Sequence, residues 1–527
     1  MPSLPERWLC GCLLAPALIL PVNVFSQSVP DVAELMQRVQ FSILDVEIEG
    51  NSLVDAQALS AAAAPFLGTG RRMEHIESIR MAILETYRAR GHELVSVVYA
   101  PSRSTGGRHL FVVLEVELGK VRVAGATRIP ESSVRAQLPA LREGELPDLH
   151  ALARQLALFN DNPGRSATIE YSSGEHIGVA DAEIRLTEGP QSRFGFMVNN
   201  TGTAQTGRTR AGLSWSHYNA FGVGHQATLG VNTSLDEPAK VRGVNLGYRI
   251  PLPALGDALL FGASASKVKV GQVADVFNIA GESEAWNIHY VRNLRWTADT
   301  RHMLQFGYDE RRYRDLIDFF GTNLGTAVTA KPLSLGYRLQ HNRDRSNLGF
   351  GLTFQRNLSG DGRNGDAAYA ANRVGAEADW SSLLLDAVWQ KALPDGWSTT
   401  ARLAGQYARK PLISAEQFGL GGAGAVRGLG EREGAGDRGL RVSGELYTPR
   451  IGEAHQLLLF VDGGRSSRLN VLPGESSGER VLSYGLGWRA SLFNTVQIVM
   501  DVARVANGTP RYQTGSTRVH ASASMMF

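Results

Sequence analysis

The chain has 527 residues, a formal net charge of +3, 58 glycines and two cysteines. A charge this evenly balanced, with no basic run interleaved with aromatics, argues against a nucleic-acid partner. Abundant glycine without a strict period argues against collagen or a linker, and with both cysteines (Cys10 and Cys12) near the start, disulfides, thiol catalysis and cysteine metal sites are excluded for the rest.

The opening residues, MPSLPERWLCGCLLAPALILPVNVFSQS, have the layout of a secretory signal over residues 1–26. Arg7 supplies the positive start, Leu9 to Val24 the apolar core, and small residues near Ser26 the cleavage site. The apolar stretch is short and broken by prolines, which disfavours a membrane anchor. Residues 27–40 read as a lead-in, where PDVAELMQRV forms at most a short helix with Val32, Leu35, Met36 and Val39 on one side. Beyond the signal, no apolar run approaches the roughly 20 residues of a spanning helix.

Two consecutive α+β units follow, over residues 41–119 and 120–190. In the first, FSILDVEIEG alternates as one strand. Helices are expected around DAQALSAAAAPFL and over RRMEHIESIRMAILETYRARG, where Ile76, Ile79, Ile83 and Tyr87 share a face and Gly91 is a C-cap. VSVVYAP and HLFVVLEVE read as strands. The order strand, helix, helix, strand, strand returns in KVRVAGATRI, PESSVRAQLPAL, DLHALARQLALFND, ATIEYSSG and ADAEIRLTEG, an internal repeat. VSVVYAP is the candidate open edge of the first sheet, to which an extended client could add as a strand.

From 191 to 527 helical periodicity disappears. About sixteen segments of roughly ten residues alternate polar with apolar, as in transmembrane barrels. In VLSYGLGWRASL, Leu482, Tyr484, Leu486 and Trp488 oppose Ser483, Gly485, Gly487 and Arg489. In TVQIVMDVARV, Val496, Ile498, Met500 and Val502 oppose Gln497 and Asp501. TRVHASASMMF closes the chain, with His520 on the polar face. An even number of antiparallel strands closed into one barrel, apolar outside and polar within, solves the problem of a sheet edge facing lipid.

Within this region GLGGAG (Gly419–Gly424) spells G-x-G-x-x-G, but glycines recur after it and a strand follows, so the helix that a dinucleotide needs is missing. GESSG around Ser476 lies between a proline-led loop and a strand, where a nucleophile elbow cannot form. His75 and His92 each neighbour a glutamate without completing H-E-x-x-H. No catalytic, cofactor or metal site is expected. The same glycine-rich stretch carries Arg427. On the later segment LLLFVDGG, Leu457, Leu459 and Val461 alternate outward, which gives Asp462 and Phe460 lumenal parity. A guanidinium inserted in the lumen needs a carboxylate.

Four blocks in order carry a family resemblance: VEIEGNSLVDAQAL with ETYRARGHELVSVVYAP; NNTGTAQTGRTRAGLSWSHYNAFGVGHQATLG; QFGLGGAGAVRGLGERE with GDRGLRVSGEL; and FVDGG. Together they resemble the two-partner secretion transporters, the haemolysin secretion/activation family of the POTRA-barrel translocase superfamily. That likeness implies two periplasmic POTRA repeats before an outer-membrane barrel, and a long loop (about 410–438) folded into it. It implies that the loop motif Val426, Arg427, Gly428 meets the wall motif Phe460, Asp462, Gly464, with Arg427 and Asp462 as a pair whose loss from either side has one effect. It further implies that Phe527 is a C-terminal assembly signal read by the barrel assembly machinery. The partners would be outer-membrane lipid and a large unfolded exoprotein of haemolysin or adhesin type, bound through the POTRA repeats and secreted to the cell surface. The alternatives are a barrel-assembly insertase, which typically carries more POTRA units, and a passive porin. Relatives often begin with a pore-plugging helix and a long linker. Here the span before Phe41 is too short for both, which puts a plug in doubt.

Overall fold

The computed structural model describes residues 40–527 except 93, 274–276, 298, 320–321, 324, 453 and 494. The signal and PDVAELMQRV lie outside the described residues. The chain divides into two compact units, the first ending at Glu115 and the second running from Val116 to Phe527 with Gly91–Leu94.

The first unit contains β1 (Phe41–Ile43), β2 (Asp45–Glu49), α1 (Ala56–Ala63), β3 (Gly68–Arg71), α2 (Met73–Arg88), β4 (Val95–Tyr99) and β5 (Arg108–Glu115). Strand β5 lies between β2 (parallel) and β4 (antiparallel). Helix α2 presents Ile76, Ile79, Ile83 and Tyr87, all buried, to Ile43, Leu59 and Phe111. FSILDVEIEG is therefore two strands rather than one. The amides of Leu44 and Asp45 both donate to Gly107 O (2.7 and 3.2 Å), which breaks the run. Strand β1 instead pairs with β3, a glycine-rich segment that shows no alternation in sequence.

The second unit opens with β6 (Glu117–Ala124), α3 (Glu131–Ala136), α4 (Leu149–Asn160), β7 (Arg165–Ser173) and β8 (Val179–Glu188). Strand β8 is central, parallel to β6 and antiparallel to β7. The Asp148 carboxylate caps α4 by accepting from Ala151 N at 2.9 Å.

The two α+β sheets share one closure. Gly50 and Gly125 both stand at φ +81°, where a Cβ would sit 2.3 Å from the carbonyl of Val113 and of Leu186 respectively. Just beyond each glycine, the carboxylate ending the central strand collects the turn's amides. Glu115 accepts from Ser52 N and Leu53 N at 2.8 and 2.9 Å. Glu188 accepts from Thr127, Arg128 and Ile129 N at 3.0, 2.9 and 2.9 Å. Burial works to raise the pKa of Glu188, but these amides outweigh it and hold the group well below the usual carboxylate range.

The remaining chain is a closed antiparallel barrel running from Ser192–Asn199 to Thr517–Met526. Among the described residues it has eighteen strand segments. Thr322–Asn323, Ala327–Ala330 and Pro332–Arg343 are successive pieces of one strand, which leaves sixteen. Leu482, Tyr484 and Leu486 are exposed on the outer face, while Val481 and Ser483, of the opposite parity, are buried. The seam pairs Ser522–Met526 with Asn199–Gly195. Phe527 extends it, exchanging backbone hydrogen bonds with Phe194 at 2.8 and 3.0 Å and stacking its ring 5.9 Å from that of Phe194. No helix of the described residues is long and apolar enough to cross a membrane.

The second α+β sheet is fastened to the barrel rim where the chain enters. Asp161, at the end of α4, meets Arg249 Nη2 at 2.6 Å and Arg301 Nη1 at 3.0 Å. Asn162 Nδ2 donates to Tyr218 O at 2.7 Å and Ser133 Oγ to Gly222 O at 2.6 Å. Burial would raise the Asp161 pKa, yet the two arginines leave it lowered.

Candidate functional site

Between the strands Ser398–Ala408 and Arg438–Tyr447 the chain makes a loop, 409–437, that turns back into the barrel. Its arms are tied as an irregular hairpin: Phe418 and Gly436 exchange backbone hydrogen bonds (2.8 and 3.0 Å), and the amides of Leu420 and Gly421 donate to Glu433 O (3.1 and 3.0 Å). Recurrent glycine makes helix expensive here, so a turn-rich hairpin results.

The tip carries Arg427, which is 4 % exposed against a fully buried Asp462. The guanidinium binds Asp462 in bidentate fashion, Nε to Oδ2 at 2.7 Å and Nη2 to Oδ1 at 2.8 Å, and the Arg427 amide adds a third bond at 3.1 Å. Its face lies 3.5 Å from the centre of the Phe460 ring. The other motif residues make room for this arrangement. Gly428 stands at φ +93° with a missing Cβ that would touch Val505 Cγ2 at 3.1 Å, so the backbone can graze the wall. A Cβ at Gly464 would lie 3.0 Å from Leu420 Cδ2 and 3.4 Å from Val426 Cγ2. Val426 itself packs into a buried cluster with Leu420, Leu429, Val481 and Val505.

Arg427 and Asp462 are not an exclusive couple. Arg427 Nη1 also reaches Glu445 Oε1 at 2.8 Å and Asp501 Oδ2 at 3.6 Å. Arg402 in turn binds Glu445, and Arg489 binds Asp501 at 2.8 Å. Three guanidinium groups and three carboxylates thus alternate across the lumen, and every charge has an opposite neighbour. The single-pair expectation, with equal consequences from either side, does not follow from this geometry. His520 joins the same site: its Nε2 accepts the Gly428 amide at 3.0 Å, which places the proton of a neutral ring on Nδ1.

Two further anchors hold the loop. Buried Asp437, at its base, receives Arg373 Nη2 at 3.0 Å, Leu412 N at 2.8 Å and Leu469 N at 2.7 Å. Glu416, on the near arm, accepts from Arg311 Nη1 at 2.8 Å and Tyr313 OH at 2.9 Å on the strand Thr300–Phe319. None of these was singled out from sequence. The available signal was lumenal parity for Glu445 and Asp501, and for Arg311 a place among the charges of DERRYRD. No group of metal-ligating side chains occurs among the described residues.

A family model described as "Haemolysin secretion/activation protein ShlB/FhaC/HecB" matches residues 178–490. The outer membrane transporter CdiB of Dickeya dadantii is 23% identical over 436 residues, covering 80% of this chain and 76% of the relative. The heme/hemopexin transporter protein HuxB of Haemophilus influenzae is 21% identical over 429 residues, 77% of this chain and 72% of the relative. Among solved structures, CdiB from Escherichia coli superposes with a TM-score of 0.79 at 15% identity, covering 95% of this chain and 93% of that one.

Proposed function

The chain belongs to the haemolysin secretion/activation family, outer-membrane translocators of a secreted protein partner, and from that premise we propose how this one works. The N-terminal α+β repeats serve as periplasmic POTRA receptors, with their boundary at 115/116 rather than the expected 119/120, which would cut β6 in two. Among the described residues strand β4 is paired on one side only, with β5, and offers its other edge to an extended client. The client then passes through the lumen when the loop tip leaves Asp462. The barrel carries out no covalent chemistry, and folding of the large exoprotein outside supplies direction. Phe527, paired with the first barrel strand, is the signal through which the assembly machinery completes the seam.

The observation that carries this reading is the tip itself: a loop folded back into the barrel and held there by a buried guanidinium shared by lumenal carboxylates. A crosslink tests it. Val426 and Gly464 are close enough that a Cβ at Gly464 would lie 3.4 Å from Val426 Cγ2, within reach of a disulfide. The only native cysteines are Cys10 and Cys12. A Val426→Cys/Gly464→Cys barrel should secrete its partner under reducing conditions and stop when oxidised. Undiminished secretion by the oxidised form would show that the client does not need the tip to move. Falling levels of other outer-membrane barrels would point instead to an insertase.

A further inference from the structure

The lipid-facing wall treats its outermost charges in two ways. On the strands Asp257–Val273, Phe277–Trp296 and Thr300–Phe319, the described outward positions beyond the exposed Trp286 carry both signs, and every charge but Lys269 has an opposite partner. Lys267 binds Glu282, and Arg312 Nη2 binds Glu310 at 2.6 Å. On the strands Arg438–Tyr447, His455–Ser467, Arg480–Leu492 and Val496–Asn507, the corresponding outward positions hold cations alone. Arg465, Arg480 and Arg504 are all exposed and share their face with lipid-facing Val461, Leu482 and Val502. None of the three side chains makes an ion pair or hydrogen bond among the described residues. No Asp or Glu occupies an outward position on these four strands.

Arg465 and Arg480 are moreover direct register partners. Opposed residues on a sheet have Cβ atoms about 5 Å apart, and like charges so placed repel. An isolated barrel gains nothing from that arrangement, but an anion lodged between the two guanidinium groups would turn repulsion into a two-sided clamp. Arg504 lies opposite Tyr484, four residues down the strand from Arg480, about 13 Å away at the usual rise. Arg504 also stands at the head of a groove of about 810 Å³ in the outer wall, lined by Leu459, Val461, Leu486 and Val502. The groove exists because Gly444 puts no side chain into it; a Cβ there would meet nothing within 4 Å.

We propose that this face is a binding site for a lipid of the outward-facing leaflet whose head group bears two phosphates. One phosphate is clamped by Arg465 and Arg480, the other meets Arg504, and an acyl chain lies in the groove below. The proposal rests on the outer-membrane placement of the barrel and is independent of how the loop moves. Charge complementarity selects the occupant: a zwitterionic head group would bring a cation of its own to an already repelling pair, and an acyl chain alone would leave the pair unneutralised.

The full chain, purified in detergent free of bacterial lipid, can be titrated with diphosphoryl lipid A and followed by native mass spectrometry and thermal unfolding. Wild type should bind lipid A and gain thermal stability. Arg465→Gln/Arg480→Gln should bind it at least about tenfold more weakly. Without lipid, that variant should be as stable as wild type or more so, because its repulsion is gone. Arg504→Gln gives an independent arm with the clamp intact, and Lys267→Gln, on the charge-paired side, should leave binding unchanged. Phosphatidylethanolamine and millimolar inorganic phosphate should not substitute for lipid A. Equal binding of lipid A by wild type and the clamp variant would overturn the site. Full stabilisation by inorganic phosphate alone would overturn the lipid as occupant.

Discussion

The tip and the base of the inward loop are chemical opposites. At the tip one cation, Arg427, is shared by Asp462, Glu445 and Asp501. At the base one anion, Asp437, is shared by the Arg373 guanidinium and the amides of Leu412 and Leu469. The tip's partners sit on barrel strands, inside a ladder of backbone hydrogen bonds that cannot yield locally. The base's partners lie outside the regular strands, on connecting segments. In the proposed cycle this difference makes the tip a latch on the wall and the base a hinge, around which the latch would swing without disturbing barrel closure.

If that division is right, Arg427→Ala is the most severe change. It leaves three buried carboxylates facing only Arg402 and Arg489, and breaking a buried ion network by removing one member costs about 3–5 kcal/mol. At the lower figure the loop's inward position becomes about 100-fold less favoured. Secretion at matched barrel levels should fall and single-channel conductance should rise. Asp437→Ala comes next, at about 2–3 kcal/mol for two amides left unpaired and an arginine that keeps only the carbonyls of Leu412 and Leu469. It should loosen the connecting segments, seen as faster hydrogen exchange over 409–417 and 469–478, while conductance stays nearly closed. A conductance increase equal to that of Arg427→Ala would mean that base and tip act as one latch.

Asp462→Ala should be milder than Arg427→Ala, because Glu445 and Asp501 still accept from the guanidinium. Glu445→Gln should be milder again, at about 1 kcal/mol. Conductance across these variants should rank Arg427→Ala, Asp462→Ala, Glu445→Gln. Indistinguishable effects for the first two would restore an exclusive pair. The smallest effect on the loop should come from a change that touches neither anchor. Glu188→Gln removes a carboxylate whose folded pKa is depressed, so its stabilisation is present above the ordinary glutamate range and is lost as pH falls through the folded value. The variant should therefore be less stable than wild type at neutral pH and less sensitive to acid, by circular-dichroism melting, with unchanged conductance.

Much of this was legible in the residues themselves. The alternation in VLSYGLGWRASL and TVQIVMDVARV marks wall and lumen, since side-chain direction in a strand depends only on parity. The repeat was visible because its two units bury similar apolar patterns. The strand Gly68–Arg71 was not, because pairing there is dictated by the neighbouring chain rather than by side-chain pattern. For the loop, sequence offered Arg427 and Asp462 through a resemblance and a parity argument. Glu445 and Asp501 show lumenal parity and nothing more, and Asp437 and Glu416 carry no local mark: a buried carboxylate is spelled like an exposed one, and only the fold brings each to its guanidinium.

In the proposed cycle the obstruction is a stretch of the barrel's own chain, continuous with a strand at each end, and that has a kinetic consequence. A separate plug would reseal at a rate set by its concentration and could be lost altogether. A tethered one returns by a first-order search over a few tens of residues, at an effective concentration in the millimolar range that dilution cannot change. Each passage can therefore end in resealing without any factor being recruited, and the leak per client is fixed by loop length and stiffness, quantities written in the glycines between Gly419 and Gly439.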